Sequence, residues 1–463
     1  MSQLSSIEHI VVLMLENRSF DHMLGWLYTA SGNVSPSGSR FEGLTGNETN
    51  PDANGNHVKV FPITQTTPNA YSMPGFDPGE GYMAANRQLF GSLKAPADGQ
   101  PASMNGFVAD YAATLGWGSG ASGMSGAPGM SAGMSGAPGM SGARGMSVVP
   151  GTTALHIMGC FTPEALPVLS GLAKGFAVCD HWYGSVPTET LPNRAFACTG
   201  SSQGHMDDNT RTYTSPSIFG ALSKHGIDWS LYGYDAEPLG RHVFTDITRA
   251  SSSHFGLFTA FTAAAAAGTL APFVFLEPSW GARGNSQHPN YDVALGEQLI
   301  HDVYYALRNG PAWNHTLLII TYDEHGGCYD HAPPPWGATP PDNTVGEFGF
   351  DFTRFGPRVP TVLVSPLIEA GSVFRAPSSG PPLDHTSILK TVESRWGLGP
   401  LTARDRAAPD VSGALRLKRP RSDDPLHGVT VPSAPQLSAA AAPSHLQEVL
   451  ADLISRQYPA GGA

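Results

Sequence analysis

The feature that most constrains the fold of this chain is a short apolar run followed by a cluster of ionisable side chains. Leu317 to Thr321 are apolar or β-branched, a pattern that predicts a buried strand and is too short for a helix. The metal-competent side chains that follow it closely are Asp323, Glu324, His325, Asp330 and His331. Ligands bind at the carboxyl ends of strands in open α/β sheets, so this stretch predicts a ligand or metal site. A polar turn between buried elements is the alternative.

The N-terminal segment repeats this design. Ile10 to Leu15 form a second continuous apolar run of strand length, and Glu16 and Asn17 follow it directly. The pattern predicts a second buried strand that delivers a carboxylate and an amide. We expect Asp21 to cap a short helix that comes next, and capping of that helix is the alternative role for Glu16 and Asn17.

A hydroxyl and a guanidinium follow a third predicted strand, Phe176 to Cys179. Thr190 lies in a proline-containing turn, and Arg194 comes four residues later. A hydroxyl at a helix start, close to a metal and an arginine, is a candidate nucleophile. The alternative is that Thr190 is the N-cap of a helix that begins at Pro192 or Asn193.

A fourth predicted strand, Phe273 to Leu276, ends at Glu277, and His288 follows as a candidate ligand or acid–base group. The amphipathic segment Asp292 to Asn309 predicts a helix that leads into the strand at Leu317. A helix that feeds a buried strand is half of a parallel crossover unit. The alternation predicts an α/β fold, a three-layer sandwich around a mostly parallel central sheet, with loop-rich insertions.

The side chains at these strand ends have the chemistry of a divalent-cation site. Their donors are mostly carboxylate and amide oxygens, which suit Ca²⁺, Mg²⁺ or Mn²⁺ better than thiol-bound zinc. A cation, a hydroxyl nucleophile and nearby histidines are together the groups that hydrolyse phosphate esters, because the cation polarises the phosphoryl group and an imidazole protonates the leaving oxygen. The sequence therefore predicts one divalent metal ion and a phosphate-ester or phospholipid substrate.

Charge and composition exclude several classes of protein. A formal net charge of −12 argues against nucleic acid as a partner. The N-terminal segment has no basic region, and no apolar run is long enough to span a membrane, so we expect neither a signal peptide nor a transmembrane helix. A cytoplasmic location is expected, with export by a route not readable in the sequence as the alternative. The four cysteines are expected to be mostly buried thiols, with one disulfide among the first three as the alternative for an exported protein.

A low-complexity stretch between residues 118 and 147 repeats glycine, methionine and serine. It has too little apolar surface to offset the entropy lost on ordering, so we expect a flexible surface insertion. Contact between its methionines and a membrane surface is a less favoured alternative. Residues 1–408 are predicted to form the catalytic domain, and residues 409–463 a wrapping C-terminal segment that ends in a helix.

Several motifs carry a family resemblance. They are ENRSFDH from Glu16 to His22, TLPNR from Thr190 to Arg194, TYDEHGGCYDH from Thr321 to His331, and DHTSILKTVE from Asp384 to Glu393. Together they resemble the phosphoesterase family of bacterial phospholipases C, related acid phosphatases and plant non-specific phospholipases C. The resemblance runs from Ile7 to about Ala408 and implies an alkaline-phosphatase-like α/β core.

The resemblance also implies roles for individual residues. Thr190 would be a nucleophile that forms a transient phosphothreonine and would also contact the metal, whose other ligands would be Glu16, Asn17, Asp323 and Glu324. His288, with His325 or His331, would stabilise the transferring phosphoryl group or protonate the leaving group. The residues predicted to bind substrate are Arg194, Glu80 and Asp330.

Glu80 departs from the pattern of the family that the chain resembles. Members commonly carry a histidine after the Asp-Pro-Gly-like turn, so we expect one phosphate contact to differ here. The favoured reaction is phospholipase C-type cleavage of a phosphodiester. An acid phosphatase that acts on monoesters is the alternative, and a phosphotransferase with the same intermediate is another. A metal-stabilised binding protein without activity is the least favoured.

Overall fold

The structure of the protein, a computed structural model, describes residues 3–118, 148–281, 284–289, 291–433 and 445–457. An eight-stranded sheet forms its centre. In chain order its strands are β1 (His9–Leu15), β2 (Ala177–Val178), β3 (Trp229–Gly233), β4 (Phe255–Leu257), β5 (Phe273–Glu277), β6 (Thr316–Tyr322), β7 (Val362–Val364) and β8 (Ser372–Val373). From residue 119 to residue 147, the predicted insertion lies outside the described residues.

The central sheet is mostly parallel. Its spatial order is β8-β2-β7-β6-β1-β5-β3-β4, and β7 runs antiparallel to both of its neighbours while the other pairs are parallel. Parallel neighbours require long crossover connections, which helices supply. The predicted α/β class with a large, mostly parallel sheet is confirmed. Small two-stranded pairs outside it join Trp182–Tyr183 to Leu383–Asp384, Thr49–Pro51 to His57–Lys59, and Phe61–Ile63 to Gly159–Phe161.

Helices separate the strands along the chain and cover the sheet. They are α1 (Phe20–Leu24), α2 (Tyr82–Phe90), α3 (Phe107–Gly118), α4 (Pro167–Gly175), α5 (Thr190–Thr199), α6 (Ile218–Lys224), α7 (Leu239–Val243), α8 (Phe258–Ala267), α9 (Val293–Arg308), α10 (Thr386–Trp396), α11 (Ala403–Ala407) and α12 (His445–Gln457). Helix α9 packs against α4 and α8, and α5 packs against α6 and α10. Successive strand residues face opposite sides, and every residue of β6 is buried, so the centre of the sheet is covered on both faces.

Strands β1 and β6 lie side by side and deliver their polar residues to the same edge of the sheet. Leu15, the last residue of β1, pairs with Tyr322, the last residue of β6. Glu16 and Asp323 are therefore the first residues beyond two strands in matched register. The predicted strands at these two apolar runs are confirmed.

The start of α1 differs from the prediction. Ser19 is the N-cap, and its hydroxyl accepts from the His22 N–H at 3.2 Å. The expectation that Asp21 caps this helix is wrong, because the Asp21 carboxylate is bound by the buried Arg358 and by His331.

Three other predictions concern the C-terminal helix, the cysteines and membrane-spanning segments. Helix α12 buries the apolar side chains Leu446, Val449, Leu450 and Leu453 in the main core. All four cysteines are free and buried, so the disulfide alternative is wrong. Among the described residues, the structure contains no helix both long and apolar enough to cross a membrane.

Candidate active site

Thr190 is the first residue of α5, and its hydroxyl contacts the loop that follows β1. Glu189 is the N-cap of the helix, with an extended backbone. Thr190 Oγ1 donates to Asn17 Oδ1 at 3.2 Å, across 173 residues of sequence. The alternative that Thr190 is the helix N-cap is therefore wrong. Its side chain is bonded to the strand end that carries Glu16 and Asn17.

Asn17 connects three parts of the site. Its φ of 55° is left-handed, a conformation that asparagine tolerates better than most residues. Its backbone N–H donates to Asp323 Oδ1 at 2.9 Å. Its side-chain oxygen accepts from Thr190, and its Nδ2 donates to Glu80 Oε2. The structure thus brings four of the predicted site residues into one hydrogen-bonded group.

Asp323 is fixed in place from three directions. One carboxylate oxygen accepts from the N–H groups of Asn17 and Glu324, at 2.9 and 2.8 Å. The other accepts from Arg194 Nε at 3.0 Å. Arg194 lies one helical turn after Thr190, and its second nitrogen donates to the Met14 and Leu15 carbonyls. Because these nitrogens are engaged with protein groups, Arg194 positions Asp323 next to Asn17.

Glu16 and Glu324 are buried carboxylates with unused oxygens. Glu16 Oε2 and Glu324 Oε1 accept no hydrogen bond from any residue that the structure describes. Burial, and then the neighbouring Asp323, raises the pKa of Glu16 to about 8. The same two causes raise the pKa of Glu324 well above its usual range. Buried oxygens of this kind fit a divalent cation, which would supply the missing positive charge.

A second group of donors lies beside the first. Asp77, Glu80 and His288 are buried, and one ligand atom from each lies within 4.8 Å of the others. His288 Nε2 is 3.8 Å from Asp77 Oδ1. Burial, followed by the charges of Asp77 and Glu324, raises the pKa of Glu80 well above its usual range. The bond from Asn17 to Glu80 connects this group to Thr190.

His325 is buried next to Glu324 in the loop after β6. Its Nε2 is 2.7 Å from Gln88 Oε1, and its ring meets Phe107 edge-on. Its Nδ1 lies 3.1 Å from Glu324 Oε2. Burial lowers the pKa of His325 to about 3, so the ring is neutral at neutral pH. A neutral ring whose Nε2 proton is held by Gln88 is poorly suited to protonate a leaving group.

Asp330 and His331 belong to a different cluster. His331 Nδ1 is 2.5 Å from Asp21 Oδ2, and Arg358 binds Asp21 Oδ1 and Asp330 Oδ1 at 2.9 Å each. Asp21, Asp330 and Arg358 are fully buried. These contacts tie the residues after β1 to the loop after β6. The bonds described for Asp330 and His331 are made within this ion-pair cluster rather than with Thr190.

The chain is similar to known proteins over most of its length. The family model described as Phosphoesterase family matches residues 7–399. The chain belongs to the Phosphoesterase family. Among its relatives, non-specific phospholipase C6 of Arabidopsis thaliana is 35% identical over 91% of this chain and 75% of the relative. Non-specific phospholipase C3 of the same plant is 32% identical over 94% and 78%.

A bacterial relative of this phosphoesterase is phospholipase C A of Mycobacterium tuberculosis, 28% identical over 94% of this chain and 82% of the relative. These relatives identify the chain as a phosphoric ester hydrolase. A crystal structure of a protein in the alkaline phosphatase superfamily from Vibrio parahaemolyticus overlaps 55% of this chain and 67% of that one, with 13% identity and a TM-score of 0.31. At that level of similarity, the α/β assignment rests on the sheet and helices described above.

Some residues of this phosphoesterase site carry no signal in the sequence. Asp77 lies in a turn, and Asp208, whose carboxylate accepts from the Leu191 N–H at 2.6 Å, lies in a polar loop without periodicity. Neither follows a predicted strand, so nothing local marks them as functional. Glu277, in contrast, ends β5 as expected but binds the N–H groups of Leu239 and Gly240 at the start of α7.

Proposed function

We propose that this phosphoesterase is a phospholipase C-type phosphodiesterase that uses Thr190 as its nucleophile and depends on one divalent cation. The observation that carries the proposal is the bond from Thr190 Oγ1 to Asn17, within a buried edge rich in carboxylates. A hydroxyl at a helix start, close to acidic side chains and an arginine, is in the position of an activated nucleophile. The proposed intermediate is a phosphothreonine ester.

The cation would be held by Glu16, Asn17, Asp323 and Glu324, with the Thr190 hydroxyl beside it. The unused buried oxygens of Glu16 and Glu324 support this assignment. When bound, such a cation supplies positive charge that polarises the phosphoryl group and favours the alkoxide form of the threonine. The oxygen-rich donor set favours Ca²⁺, Mg²⁺ or Mn²⁺.

The chain itself positions the reacting groups. Asn17 orients the Thr190 hydroxyl, and Arg194 holds Asp323 in place. The N-terminal turn of α5 carries partial positive charge, which stabilises an anionic phosphoryl group at Thr190. Attack by Thr190 Oγ1 forms a new P–O bond and breaks the bond to the leaving alcohol, which takes up the hydroxyl proton. Water then cleaves the threonine ester and returns a proton to Thr190.

The three candidate histidines are assigned different roles. His288 lies close to Glu80, which is bonded to Asn17, the partner of Thr190, so we assign His288 to stabilisation of the transferring phosphoryl group. His325 has its Nε2 at Gln88, and His331 is paired with Asp21. We therefore assign these two histidines to positioning of the loop after β6.

The names of the relatives support a phospholipid diester as the substrate. The test measures turnover of a chromogenic phosphorylcholine diester and a chromogenic phosphate monoester, with and without a chelator. We expect preference for the diester and loss of both activities in the chelator. Preference for the monoester would favour the phosphatase alternative, and transfer to an added alcohol would favour the transferase. Absence of turnover with both substrates after cation is added would contradict the proposal.

Thr190 is tested by substitution. We expect Thr190→Ala to reduce turnover at least ~10³-fold, because the nucleophile is lost, whereas Thr190→Ser retains part of it. Thr199→Ala is the matched control, since Thr199 ends the same helix and bonds to Ala195 and Ser201. Mass spectrometry of acid-quenched enzyme should find the phosphoryl adduct on residue 190. Wild-type turnover in Thr190→Ala would disprove the nucleophile assignment.

A further inference from the structure

The loop at residues 342–351 presents two apolar side chains to solvent. In the described part of the chain, Val345 is the most exposed of the large apolar side chains, at 67%, and Phe348 is 38% exposed. This loop, the rim loop, lies between β6 and β7. Single exposed apolar residues are ordinary on protein surfaces, but two of them three positions apart in one loop form a small apolar tip.

Contacts with the rest of the protein hold this tip in a fixed position. The Glu347 N–H donates to the Gly204 carbonyl at 2.8 Å, and Glu347 Oε2 accepts from the Met206 N–H at 2.7 Å. Phe348 has a φ of 57°, which is rare for a bulky residue, and its ring stacks on the buried Tyr82 with centroids 5.4 Å apart. An unfavourable backbone conformation that neighbouring contacts maintain indicates a functional constraint.

Both anchors of the rim loop lead to the candidate active site. The Met206 carbonyl accepts from the Thr188 hydroxyl at 2.7 Å, and Thr188 is two residues before Thr190. Tyr82 is the first residue of α2 and comes two residues after Glu80. The apolar tip therefore lies beside the site that contains Thr190.

Charge indicates the kind of surface that this tip fits. The rim loop contains Asp342, Glu347 and Asp351 and no lysine or arginine, and the chain has a formal net charge of −12. Proteins bind anionic lipid surfaces through clusters of lysine and arginine, which this loop lacks. A zwitterionic phospholipid surface has no net charge and carries its cationic ammonium groups outermost, so the exposed carboxylates of Asp342 and Asp351 complement it.

We propose that the rim loop docks on a zwitterionic phospholipid surface, with the side chains of Val345 and Phe348 inserted among the lipids. Aromatic and branched apolar side chains gain free energy when they leave water for the interfacial region of a bilayer. Docking at this place brings the site to the lipids, so that a lipid phosphate moves only a short distance to reach Thr190. In this last step the inference rests on the proposed function.

Cosedimentation with sucrose-loaded phosphatidylcholine vesicles measures this contact in the full chain. The Thr190→Ala background keeps the lipid intact under the proposed function. We expect binding that changes less than ~2-fold between about 0.05 and 0.5 M NaCl, because salt does not screen apolar insertion. The double variant Val345→Ser/Phe348→Ser should lower the partition coefficient at least ~10-fold, because both inserted side chains are lost.

Val34→Ser is the matched control. Val34 is also an exposed valine, at 39%. Ser37, three residues later, donates from its hydroxyl to the Gly371 carbonyl at 2.8 Å, at the amino end of β8. Strand β8 runs in the same direction as β6, so this turn lies at the edge of the sheet opposite the active site. Vesicle binding of Val34→Ser should equal that of the parent protein, and an equal loss in the control and the double variant would overturn the proposal.

Phe348→Trp tests the contact without the loss of an apolar side chain. This variant should bind vesicles as the parent does, and its additional fluorescence should shift to shorter wavelength when phosphatidylcholine vesicles are added, because the indole enters the interface. Circular dichroism verifies that each variant folds. An additional fluorescence that vesicles leave unchanged would overturn the proposal, whether or not the double variant folds.

Other occupants of the tip give different results. Full vesicle binding by the double variant would overturn the rim loop as the point of contact. Stronger binding to phosphatidylglycerol vesicles that is lost in high salt would overturn a zwitterionic surface as the partner. A dimer in analytical ultracentrifugation that the double variant loses would show that a second copy of the chain covers the tip, which also overturns the proposal.

Turnover separates this inference from the proposed function. With Thr190 present, the double variant should hydrolyse the soluble chromogenic diester within ~2-fold of the wild-type rate, because the rim loop contributes no reacting group. Vesicle binding that depends on the rim loop, in a protein without phosphoester turnover, would support the docking surface and contradict the proposed function. Turnover of the soluble diester without vesicle binding would overturn the docking surface and leave the proposed function standing.

Discussion

At the scale of single residues, Asn17 is the residue on which the geometry of the site most depends. Its backbone holds Asp323, its side-chain oxygen holds Thr190 and its side-chain nitrogen holds Glu80. An aspartate of the same shape could accept from Thr190 but could not donate to Glu80. An amide is therefore required at this position because one neighbour is a hydroxyl donor and the other is a carboxylate.

Asp323→Asn tests the cation ligands. We expect at least a ~10-fold loss of cation affinity, because one anionic donor is removed and Arg194 loses its partner. Isothermal titration with Mn²⁺ or Ca²⁺ measures the change. Asp330→Asn is the matched control, since it also takes a carboxylate from a buried arginine, Arg358, but in the separate ion-pair cluster. Equal losses in both variants would contradict the ligand assignment.

His331 makes a pH-dependent contribution to stability. Burial lowers its pKa, but the Asp21 carboxylate outweighs burial and raises the pKa to about 9, against 6.5 for an ordinary histidine. A pKa raised on folding stabilises the protein fully below about pH 6.5, and this contribution is lost as the pH rises through 9. His331→Gln should therefore cost about 3 kcal/mol more at pH 6 than at pH 10.

Urea unfolding from pH 6 to pH 10 measures this difference between wild type and His331→Gln. His427→Gln is the control, because His427 is exposed. A stability loss in His331→Gln that is independent of pH would show that the ion pair with Asp21 does not determine the charge of His331.

At the scale of secondary-structure elements, the loop after β6 depends on two glycines. Gly326 and Gly327 both have positive φ, at 61° and 62°. A Cβ on Gly326 would lie 2.0 Å from the Asn17 carbonyl oxygen, and one on Gly327 would lie 2.4 Å from that of Gly79. The pair lets the loop after β6 approach the loop after β1 and the turn that carries Asp77 and Glu80.

Gly326→Ala should therefore damage both stability and activity. We expect a loss of about 3 kcal/mol or more, since left-handed strain and a backbone clash add, with displacement of Asn17 from Thr190. Gly337→Ala is the control, because Gly337 has a φ of 88° and a Cβ added there would meet nothing within 4 Å. It should cost only about 1–2 kcal/mol. Equal losses in the two variants would show that contact with Asn17 is unimportant.

The elements also show what the sequence can predict. The strands before Glu16 and Asp323 were predictable because strands covered on both faces are continuous apolar runs, and parallel neighbours end at one edge. The partner of His331 was not predictable, because Asp21 is 310 residues away and no local sequence pattern indicates the pair. Asp77 was missed for the same reason. It comes to lie beside His288 and Glu80 only after folding, and its own turn is unremarkable.

At the scale of the whole molecule, two sets of buried carboxylates contrast with each other. One set is neutralised by arginine, as Asp180 is by Arg375 and Asp384 by Arg404. The other set, which includes Glu16, Asp77 and Glu324, keeps oxygens that accept no hydrogen bond in the part of the chain that the structure describes. Uncompensated buried charge destabilises a fold, so the cation that we propose would stabilise the fold where these oxygens lie. Under the proposed function, the sheet edge that would hold the cation is therefore less stable when no cation is bound.

Cation removal should accordingly lower the stability of the entire molecule. A ligand that binds only the folded state at 100 times its Kd stabilises it by about 2.7 kcal/mol, so chelation should lower Tm and restored Mn²⁺ or Ca²⁺ should raise it again. Differential scanning calorimetry measures the shift. The exposed carboxylates of a chain with net charge −12 also attract cations. Asp323→Asn is therefore the control, because it changes a buried carboxylate and leaves the exposed ones in place. A Tm shift in Asp323→Asn as large as in wild type would mean that surface binding, and not the buried edge at β1 and β6, stabilises the fold.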